Sequence, residues 1–188
     1  MHRPPTDLLG DLLQRARKAG ADAADAMLVE SGALAVTWRL GKLEKVERAE
    51  SHDLGLRLFV GRRQAIVSTG ELAALDRLVA QAVAIAKAVP EDRYAGLAEP
   101  EQVATALPQL DLDDGVEPGV EALADLAGAA EEAALAHPKI SNSEGAEAGW
   151  SRSRTTLVAT NGFAGTITRS SHGLSAAVIA GGNGAMER

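Results

Sequence analysis

The chain has 188 residues, of which 46% are hydrophobic, and it carries a formal net charge of −7. This length and apolar content are sufficient for a packed core, so the composition predicts a globular protein of one ordinary domain or two small ones. The absence of cysteine excludes disulfide bonds, thiolate metal sites and a cysteine nucleophile. The 19 basic residues are scattered along the chain rather than clustered, so direct binding to nucleic acid is not expected.

The sequence has no stretch that predicts a membrane span or a secretory signal. The apolar positions near its start are interrupted by charges, and no later segment combines sufficient length with low charge. A cytoplasmic location is therefore the default expectation.

Residues 1–90 predict an α+β domain that consists of a helix, an antiparallel β-meander and a second helix. Apolar residues at 8, 9, 12, 13 and 16 have helical spacing, with Thr6 placed to cap the helix and Gly20 to end it. From 22 to 69 the apolar residues alternate with period two, which predicts four or five strands joined by short turns. The turns are expected at 31–32, 41–42, 51–52 and 61–62.

The rest of the chain predicts a connector and then the same order of elements. Ser68 and Glu71 have the spacing of a capping box, and an apolar helical stripe continues from there to Pro90. Residues 91–118 are rich in proline and acidic residues and predict a connector. Residues 119–188 predict the start of a second α+β unit, a helix followed by an antiparallel sheet, truncated at the C-terminus. Within it, Asn161-Gly162 is a strong hairpin signal.

The histidines do not form a metal-binding pattern. None of the four has another histidine three or four residues away, which is the spacing that places two ring nitrogens on one metal from a helix. We therefore predict no metal ligand in this chain, and we expect solvated or helix-capping histidines. The four are His2, His52, His137 and His172.

Neither the serines nor the acidic residues indicate a catalytic group. No Gly-x-Ser-x-Gly string is present, and no base is identifiable beside Ser68, Ser170 or Ser171. Adjacent carboxylates point about 100° apart on a helix, so the acidic pairs are expected to be surface charge rather than an acid and base pair. We predict no catalytic residue. The acidic pairs are Glu91-Asp92, Asp113-Asp114 and Glu131-Glu132.

Two groups of arginines have alternative interpretations. Arg62-Arg63 follows Gly61 in a predicted turn, while Arg152 and Arg154 alternate with serines and should project from one face of a strand. That second pair could bind a carboxylate or the acidic patch of a partner. The alternative is an ordinary polar strand face in contact with solvent.

The glycines at 181–184 raise the question of a phosphate-binding loop. Such a loop requires a following helix whose N-terminus faces the anion, and the sequence offers neither a Gly-x-Gly-x-x-Gly nor a Gly-Lys-Ser string there. A turn at the end of a strand is the better interpretation.

Two strings, GKLEKVERAESHDLGLRLFVGRRQAIVSTGEL (41–72) and AVAIAKAVPEDRYAGLAEPE (82–101), resemble the N-terminal region of the TldD/PmbA family. This family is also labelled peptidase U62 or "modulator of DNA gyrase". PEDRYAGLA in particular resembles the PmbA (TldE) branch. Because family members are longer, the resemblance implies that this is the N-terminal portion of such a protein.

The resemblance also implies a function. TldD and TldE form a heterodimeric metallopeptidase that acts on unfolded or extended peptides, and zinc is bound by a His-Glu-x-x-x-His helix of TldD. The chain is therefore expected to belong to a subunit that binds no zinc, with the zinc in a TldD-like partner, and its substrate-binding residues are unknown. Whether the chain acts as an enzyme remains open. One alternative is a non-enzymatic interaction module that modulates DNA gyrase or a toxin and antitoxin pair, and another is an independent hydrolase.

Overall fold

The computed structural model describes residues 4–182 and 185–187. Among these residues, no helix is long and apolar enough to cross a membrane. A short 3-10 turn is present at Pro100–Gln102. The other elements are α1 (Pro5–Lys18), β1 (Ala23–Arg39), β2 (Lys42–Val60), β3 (Arg63–Thr69), α2 (Leu75–Ala88), α3 (Val120–Leu135), β4 (Ile140–Ala159), β5 (Ala164–Gly182) and β6 (Ala185–Glu187).

The strands form one sheet in the order β3-β2-β1-β4-β5-β6. The register is antiparallel at both ends, where Leu54 of β2 lies opposite Thr69 of β3 and Gly182 of β5 lies opposite Ala185 of β6. The predicted α+β class and the antiparallel pairing are confirmed. So is the order of elements, in which a helix, a meander and a helix are followed by a further helix and strands.

The hairpin turns lie where the backbone adopts positive φ. Leu40 and Gly41 have φ of 47° and 73°, Gly61 has 59°, and Gly162 has 99°. Glycine tolerates this region without steric cost. The predicted turns at 61–62 and 161–162 are confirmed, and the turn predicted at 41–42 is found one residue earlier, at 40–41. The turns predicted at 31–32 and 51–52 are wrong, because β1 continues through 31–32 and β2 continues through 51–52. The meander therefore has three strands, two of them long, instead of four or five.

Gly20, with φ of 99°, follows the end of α1 as predicted, but both predicted N-terminal helix caps are wrong. Thr6 lies inside the first turn of α1, which follows Pro4 and begins at Pro5. The capping box of Ser68 and Glu71 does not form, because α2 begins only at Leu75. A turn occupies the intervening residues, in which the Glu71 amide donates to the Thr69 hydroxyl at 3.0 Å and the Glu71 carbonyl accepts from the Ala74 amide at 3.0 Å.

The chain forms two compact units, and each unit gathers separate parts of the sequence. The first contains the chain up to Glu30, Ser51–Leu110 and Arg154–Thr168. The second contains Ser31–Glu50, Asp111–Ser153 and the chain from Arg169. Four strands, β1, β2, β4 and β5, pass from one unit to the other. The domain boundaries predicted at 90 and 118 divide the chain in sequence order, whereas the two compact units divide it by spatial contacts. The sequence-based domain boundaries remain a prediction.

The core of the first unit lies between its two helices and its strands. The apolar stripe of α1 packs with that of α2 on one face of the strands, as the helical spacing predicts. At the surface of this layer, Arg15 of α1 donates to Asp76 of α2 at 2.6 Å. The largest fully buried aliphatic residues of this core are Leu9, Leu12, Leu54, Leu56 and Leu58.

The second unit has its own smaller core beneath α3. Leu123 and Ala127 of α3 pack with Val36 of β1 and Trp150 of β4. A Cβ added at Gly128 would lie 3.3 Å from the ring of Trp38, so glycine permits the close approach of helix and strand there. This core fixes α3 against the β1–β2 hairpin, which matters for the contacts described next.

Candidate functional site

An acidic part of the connector, residues 111–117, lies against β5 in the second unit. We call it the acidic strap. The carbonyl of Leu112 accepts a hydrogen bond from the Ser170 amide at 2.8 Å. The Asp114 amide donates to the Ser170 hydroxyl oxygen at 3.1 Å, and that hydroxyl donates to the Asp114 carboxylate at 2.9 Å. The strap is thus joined to one strand residue by both backbone and side-chain bonds.

Charged contacts hold the strap on either side of this point. Arg152 of β4 binds Asp113 in a bidentate manner, with Nε to Oδ1 at 3.0 Å and Nη2 to Oδ2 at 2.6 Å. His172 Nε2 lies 2.9 Å from Asp114 Oδ2, and Arg48 of β2 pairs with Glu117. The contact with His172, and then hydrogen bonds from Val116 and Ser170, lower the pKa of Asp114, while Asp113 raises the pKa of Arg152.

Ser170, Asp114 and His172 do not have the arrangement of a hydrolase triad. A nucleophilic serine needs the imidazole next to its hydroxyl, with the carboxylate behind the imidazole. Here the carboxylate stands between the two, since Asp114 contacts Ser170 through one oxygen and His172 through the other. The arrangement can therefore bind and orient an acidic segment, but it does not activate the serine.

The structure decides between the alternatives for the arginine pair. Arg152 binds a carboxylate, as one interpretation predicted, and the carboxylate belongs to its own chain. Arg154 is exposed on β4, as the other interpretation predicted. The pair Asp113-Asp114 was predicted to be solvated surface charge, which is wrong for Asp113, because its side chain is only 19% exposed and holds Arg152.

Glu131 is a buried, hydrogen-bonded acid, and the sequence-based prediction of its position was wrong. It was predicted to be surface charge together with Glu132, yet it is 2% exposed on the inner face of α3. Its carboxylate accepts hydrogen bonds from the Ser143 hydroxyl and from the amides of Leu40 and Gly41. Burial alone would raise the pKa of Glu131, but these bonds outweigh it and the pKa lies below its usual value.

A cavity of about 260 Å³ opens beside the sheet in the first unit. Its floor carries an ion pair in which Arg57 Nε donates to Asp25 Oδ2 at 2.9 Å, and its walls are mostly apolar. The volume is below the roughly 300–1,000 Å³ of typical small-molecule sites, so the cavity suits a single side chain better than a cofactor. Its apolar walls include Leu97, Val103, Leu157 and Phe163.

The remaining histidines lie apart from one another. His52 is in β2 rather than in the predicted turn, and its Nε2 is 2.8 Å from the Gly70 carbonyl oxygen. His137 accepts a hydrogen bond at Nδ1 from the Lys139 amide at 3.3 Å, instead of meeting helix carbonyls. His2 and the glycine loop positions 183–184 lie outside the described residues. In residues 4–182 and 185–187, no three His, Asp or Glu side chains converge as a metal site requires.

The other predicted polar residues make local structural contacts. Arg62 donates to the Ala95 carbonyl at 3.3 Å, and Arg63 pairs with Glu91 at 3.3 Å. Asp92 Oδ1 accepts from the Tyr94 amide at 2.9 Å. Ser68 lies beside α2 and Ser171 is exposed on β5. These residues order the start of the connector and do not gather into one site.

One long strand edge is open. β3 pairs with β2 only from Leu54 onwards, and on that side no described strand lies beside residues 42–51. Every residue of β2 from Lys42 to Asp53 is exposed. Charged side chains pair along it, such as Lys45 with Glu47 at 2.7 Å, and such charges commonly keep a strand edge from aggregating.

Within the described residues, the fold is thus an α+β scaffold with an open edge on β2 and an acidic strap held by charged contacts. Two family models match the chain: "PmbA/TldA metallopeptidase domain 1" over residues 24–86 and "PmbA/TldA metallopeptidase central domain" over residues 113–188. The chain belongs to the PmbA/TldD metallopeptidase family.

Two curated relatives support this assignment. The "Metalloprotease PmbA homolog" of Haemophilus influenzae is 34% identical over 178 residues, which are 93% of this chain and 39% of the relative. The "Metalloprotease PmbA" of Escherichia coli O157:H7 is 32% identical over 171 residues, which are 89% of this chain and 38% of the relative. The chain therefore spans about two fifths of the length of these relatives.

Two solved structures share the fold. A protein of Bacteroides thetaiotaomicron described as a modulator of DNA gyrase matches with a TM-score of 0.84 and 24% sequence identity. The match covers 95% of this chain and 42% of the Bacteroides protein. TldE from Thermococcus kodakarensis has a TM-score of 0.80 and 12% identity, over 95% of this chain and 40% of its own. At these identities the likeness concerns the fold alone.

Proposed function

We propose that this chain is the N-terminal portion of a PmbA/TldE-like subunit that binds no zinc itself. Together with a TldD-like subunit it would form a heterodimeric zinc metallopeptidase in the cytoplasm, which processes extended peptides. Membership of the family and the metalloprotease names of the two curated relatives support the peptidase class. The PmbA names of both curated relatives, and the resemblance of PEDRYAGLA to the PmbA (TldE) branch, support the choice of subunit.

The described residues do not fit a zinc ion, because no three potential ligands converge among them. The proposal assigns the zinc to the TldD-like partner subunit because the family resemblance implies it. The contribution left to this chain is to bind the partner and to hold the peptide.

The open edge of β2 is the observation that carries the peptide-binding role. An extended peptide can add to such an edge as a further strand, and its main-chain hydrogen bonds then give affinity with little dependence on sequence. Residues 42–51 offer this edge over more than the length of a typical strand. The exposed Leu43 and Val46, on opposite faces of the strand, offer apolar contacts for alternate peptide side chains.

Two neighbouring proline substitutions test this role, Lys45→Pro and Val46→Pro, each in the full-length protein combined with its TldD-like partner. Along an antiparallel strand, one of two neighbouring amides points to the paired strand and the other points to the open edge. Proline at the outward position removes an amide that only a peptide would use. For the variant with proline at the outward position, we expect the rate of cleavage of an unfolded peptide to fall about tenfold, which corresponds to the loss of one or two hydrogen bonds.

Size-exclusion chromatography of each variant with its partner shows whether the heterodimer still forms. The expected result for the outward proline is an intact complex with slow cleavage. Cleavage at the wild-type rate in both variants would overturn the peptide-binding role. If the wild-type protein forms no complex with its partner, the proposed heterodimer is wrong. The alternative of a non-enzymatic interaction module then gains support.

A further inference from the structure

The acidic strap lies along the edge of β5 and shares one backbone hydrogen bond with it, although it is not itself a strand. In the first unit, a Cβ at Gly165 would lie 2.7 Å from Leu107 Cδ1, so the connector already touches β5 there. Five residues further along both segments, the Ser170 amide donates to the Leu112 carbonyl. The connector therefore runs parallel to β5, and it uses a strand-edge amide that β6 does not reach, since β6 pairs only from Ala180 onwards.

Recognition of the strap combines this backbone bond with two carboxylate contacts. Arg152 takes Asp113 through two parallel bonds, which is the geometry that makes arginine selective for a carboxylate. Ser170 and His172 both contact the carboxylate of the next residue, Asp114. The surface thus binds an extended backbone that carries two consecutive acidic side chains.

The strap is held by contacts that can be exchanged. Arg152, His172 and Asp114 have side chains that are 47%, 52% and 46% exposed. Ion pairs in contact with water are weak individually, and the strap contributes no residue to either core. Directly after Asp114 the chain turns at Gly115, where φ is 69°. An external peptide could therefore replace residues 112–114 without disturbing a core.

We propose that the edge of β5, with Arg152, Ser170 and His172, is a docking site for an acidic, extended segment of a peptide substrate. Residues 112–114 of the connector fill this site as a self-ligand when no such peptide is bound. This inference rests on the proposed function only in taking the ligand to be a substrate. The binding surface itself follows from the contacts of the strap.

The test uses a fluorescein-labelled peptide with the sequence LDLDDG, which copies residues 110–115, and measures its binding by fluorescence anisotropy. The double variant Asp113→Asn with Asp114→Asn weakens the self-ligand and frees the site. If the strap is docked about nine-tenths of the time, the apparent Kd should fall about tenfold relative to the wild-type chain. Adding Arg152→Ala to the double variant should abolish this gain.

Two matched controls sharpen the result. Arg154→Ala, two residues along β4 and exposed, should leave the tight binding of the double variant unchanged. A peptide with asparagine in place of each aspartate should bind weakly to every variant. Circular dichroism melting curves of each variant test whether the fold is intact. Arg152→Lys, which keeps the charge but not the bidentate geometry, should bind with intermediate affinity.

The proposal is overturned if the double variant binds the acidic peptide no more tightly than the wild-type chain. It is equally overturned if Arg152→Ala and Arg154→Ala have the same effect. Because anisotropy measures binding without cleavage, these outcomes do not depend on whether the heterodimer is active. Conversely, an inactive heterodimer would leave the docking result standing.

Discussion

The carboxylate of Glu131 accepts a hydrogen bond at 2.9 Å from the backbone amide of Leu40, a residue 91 positions earlier in the chain. The Gly41 amide donates to the same carboxylate at 3.0 Å, so both residues of the β1–β2 turn are bound to α3. Ser143 of β4 also donates to it, and the Ser143 hydroxyl oxygen accepts from the Gly145 amide. One buried acid therefore joins a helix, a hairpin tip and a strand, and it fixes one end of the open edge of β2.

Glu131→Gln should destabilise the chain by about 1–3 kcal/mol, because the glutamine amide group is a donor that faces other donors. A glutamine oxygen at the Oε1 position keeps the hydrogen bonds from Leu40 and Ser143, while the bond from the Gly41 amide to Oε2 is lost in a buried place. The free energy of unfolding, measured by urea denaturation, is the direct test.

The neighbouring acid provides the control. Glu132 lies on the same helix but is exposed, so Glu132→Gln should change stability by no more than about 0.5 kcal/mol. Equal effects of the two substitutions would mean that the buried hydrogen bonds of Glu131 contribute nothing specific.

The same carboxylate makes stability depend on pH. Its folded-state pKa lies below the usual value, so its contribution is present above the unfolded pKa of about 4.3 and is lost as pH falls through the folded pKa. The stability difference between the wild-type chain and Glu131→Gln should therefore be constant from about pH 7 to about pH 5 and shrink on further acidification. A difference that grows below about pH 5 would contradict this assignment.

Leu40→Asn should stabilise the chain. Leu40 has φ of 47°, a region that costs a residue with a bulky side chain about 1–2 kcal/mol, and its side chain is 57% exposed, so little burial is lost. Asn-Gly is the pair that such a two-residue hairpin turn favours. A gain of about 0.5–1 kcal/mol is expected by urea denaturation. Leu43→Asn, also exposed but within β2, should give no gain, and an equal gain at both positions would argue against relief of turn strain.

The parts of the fold that follow from local chemistry were predictable from the sequence. Period-two alternation around Leu54 and the glycines of the three turns indicated the hairpins, because alternation and positive φ are properties of a few neighbouring residues. The length of β1 and β2 was not predictable in this way. Ser31-Gly32 looks like a turn in isolation, but it can remain extended when strands pair beside it. Pairing partners lie far away in the chain and leave no local signal.

The site was less predictable for the same reason. Asp113 meets Arg152 across 39 residues, and neither residue's neighbours indicate the other. Glu131 did leave one signal, because it continues the four-residue spacing of Leu123 and Ala127, the buried stripe of α3. An acid in such a stripe is buried only if donors reach it, and those donors come from the distant hairpin turn.

The ion pair in the cavity of the first unit leads to the last prediction. Asp25 has a side chain that is only 14% exposed, and two nitrogens of Arg57 donate to the same oxygen of its carboxylate. Arg57→Met should leave this carboxylate without a partner in a mostly apolar cavity and should destabilise the chain more than Asp25→Asn does. The double variant should be less destabilised than the sum of the two, because both charges are then absent.

A double-mutant cycle by urea denaturation gives the coupling energy directly, and a value of about 1–3 kcal/mol is expected for a pair in this half-buried setting. The exposed pair of Arg77 and Glu71 in the same unit is the matched control, with side chains that are 70% and 61% exposed. Its coupling should be below about 1 kcal/mol, because water screens both charges. Equal coupling for the two pairs would show that the cavity gives the Asp25 and Arg57 pair no special strength.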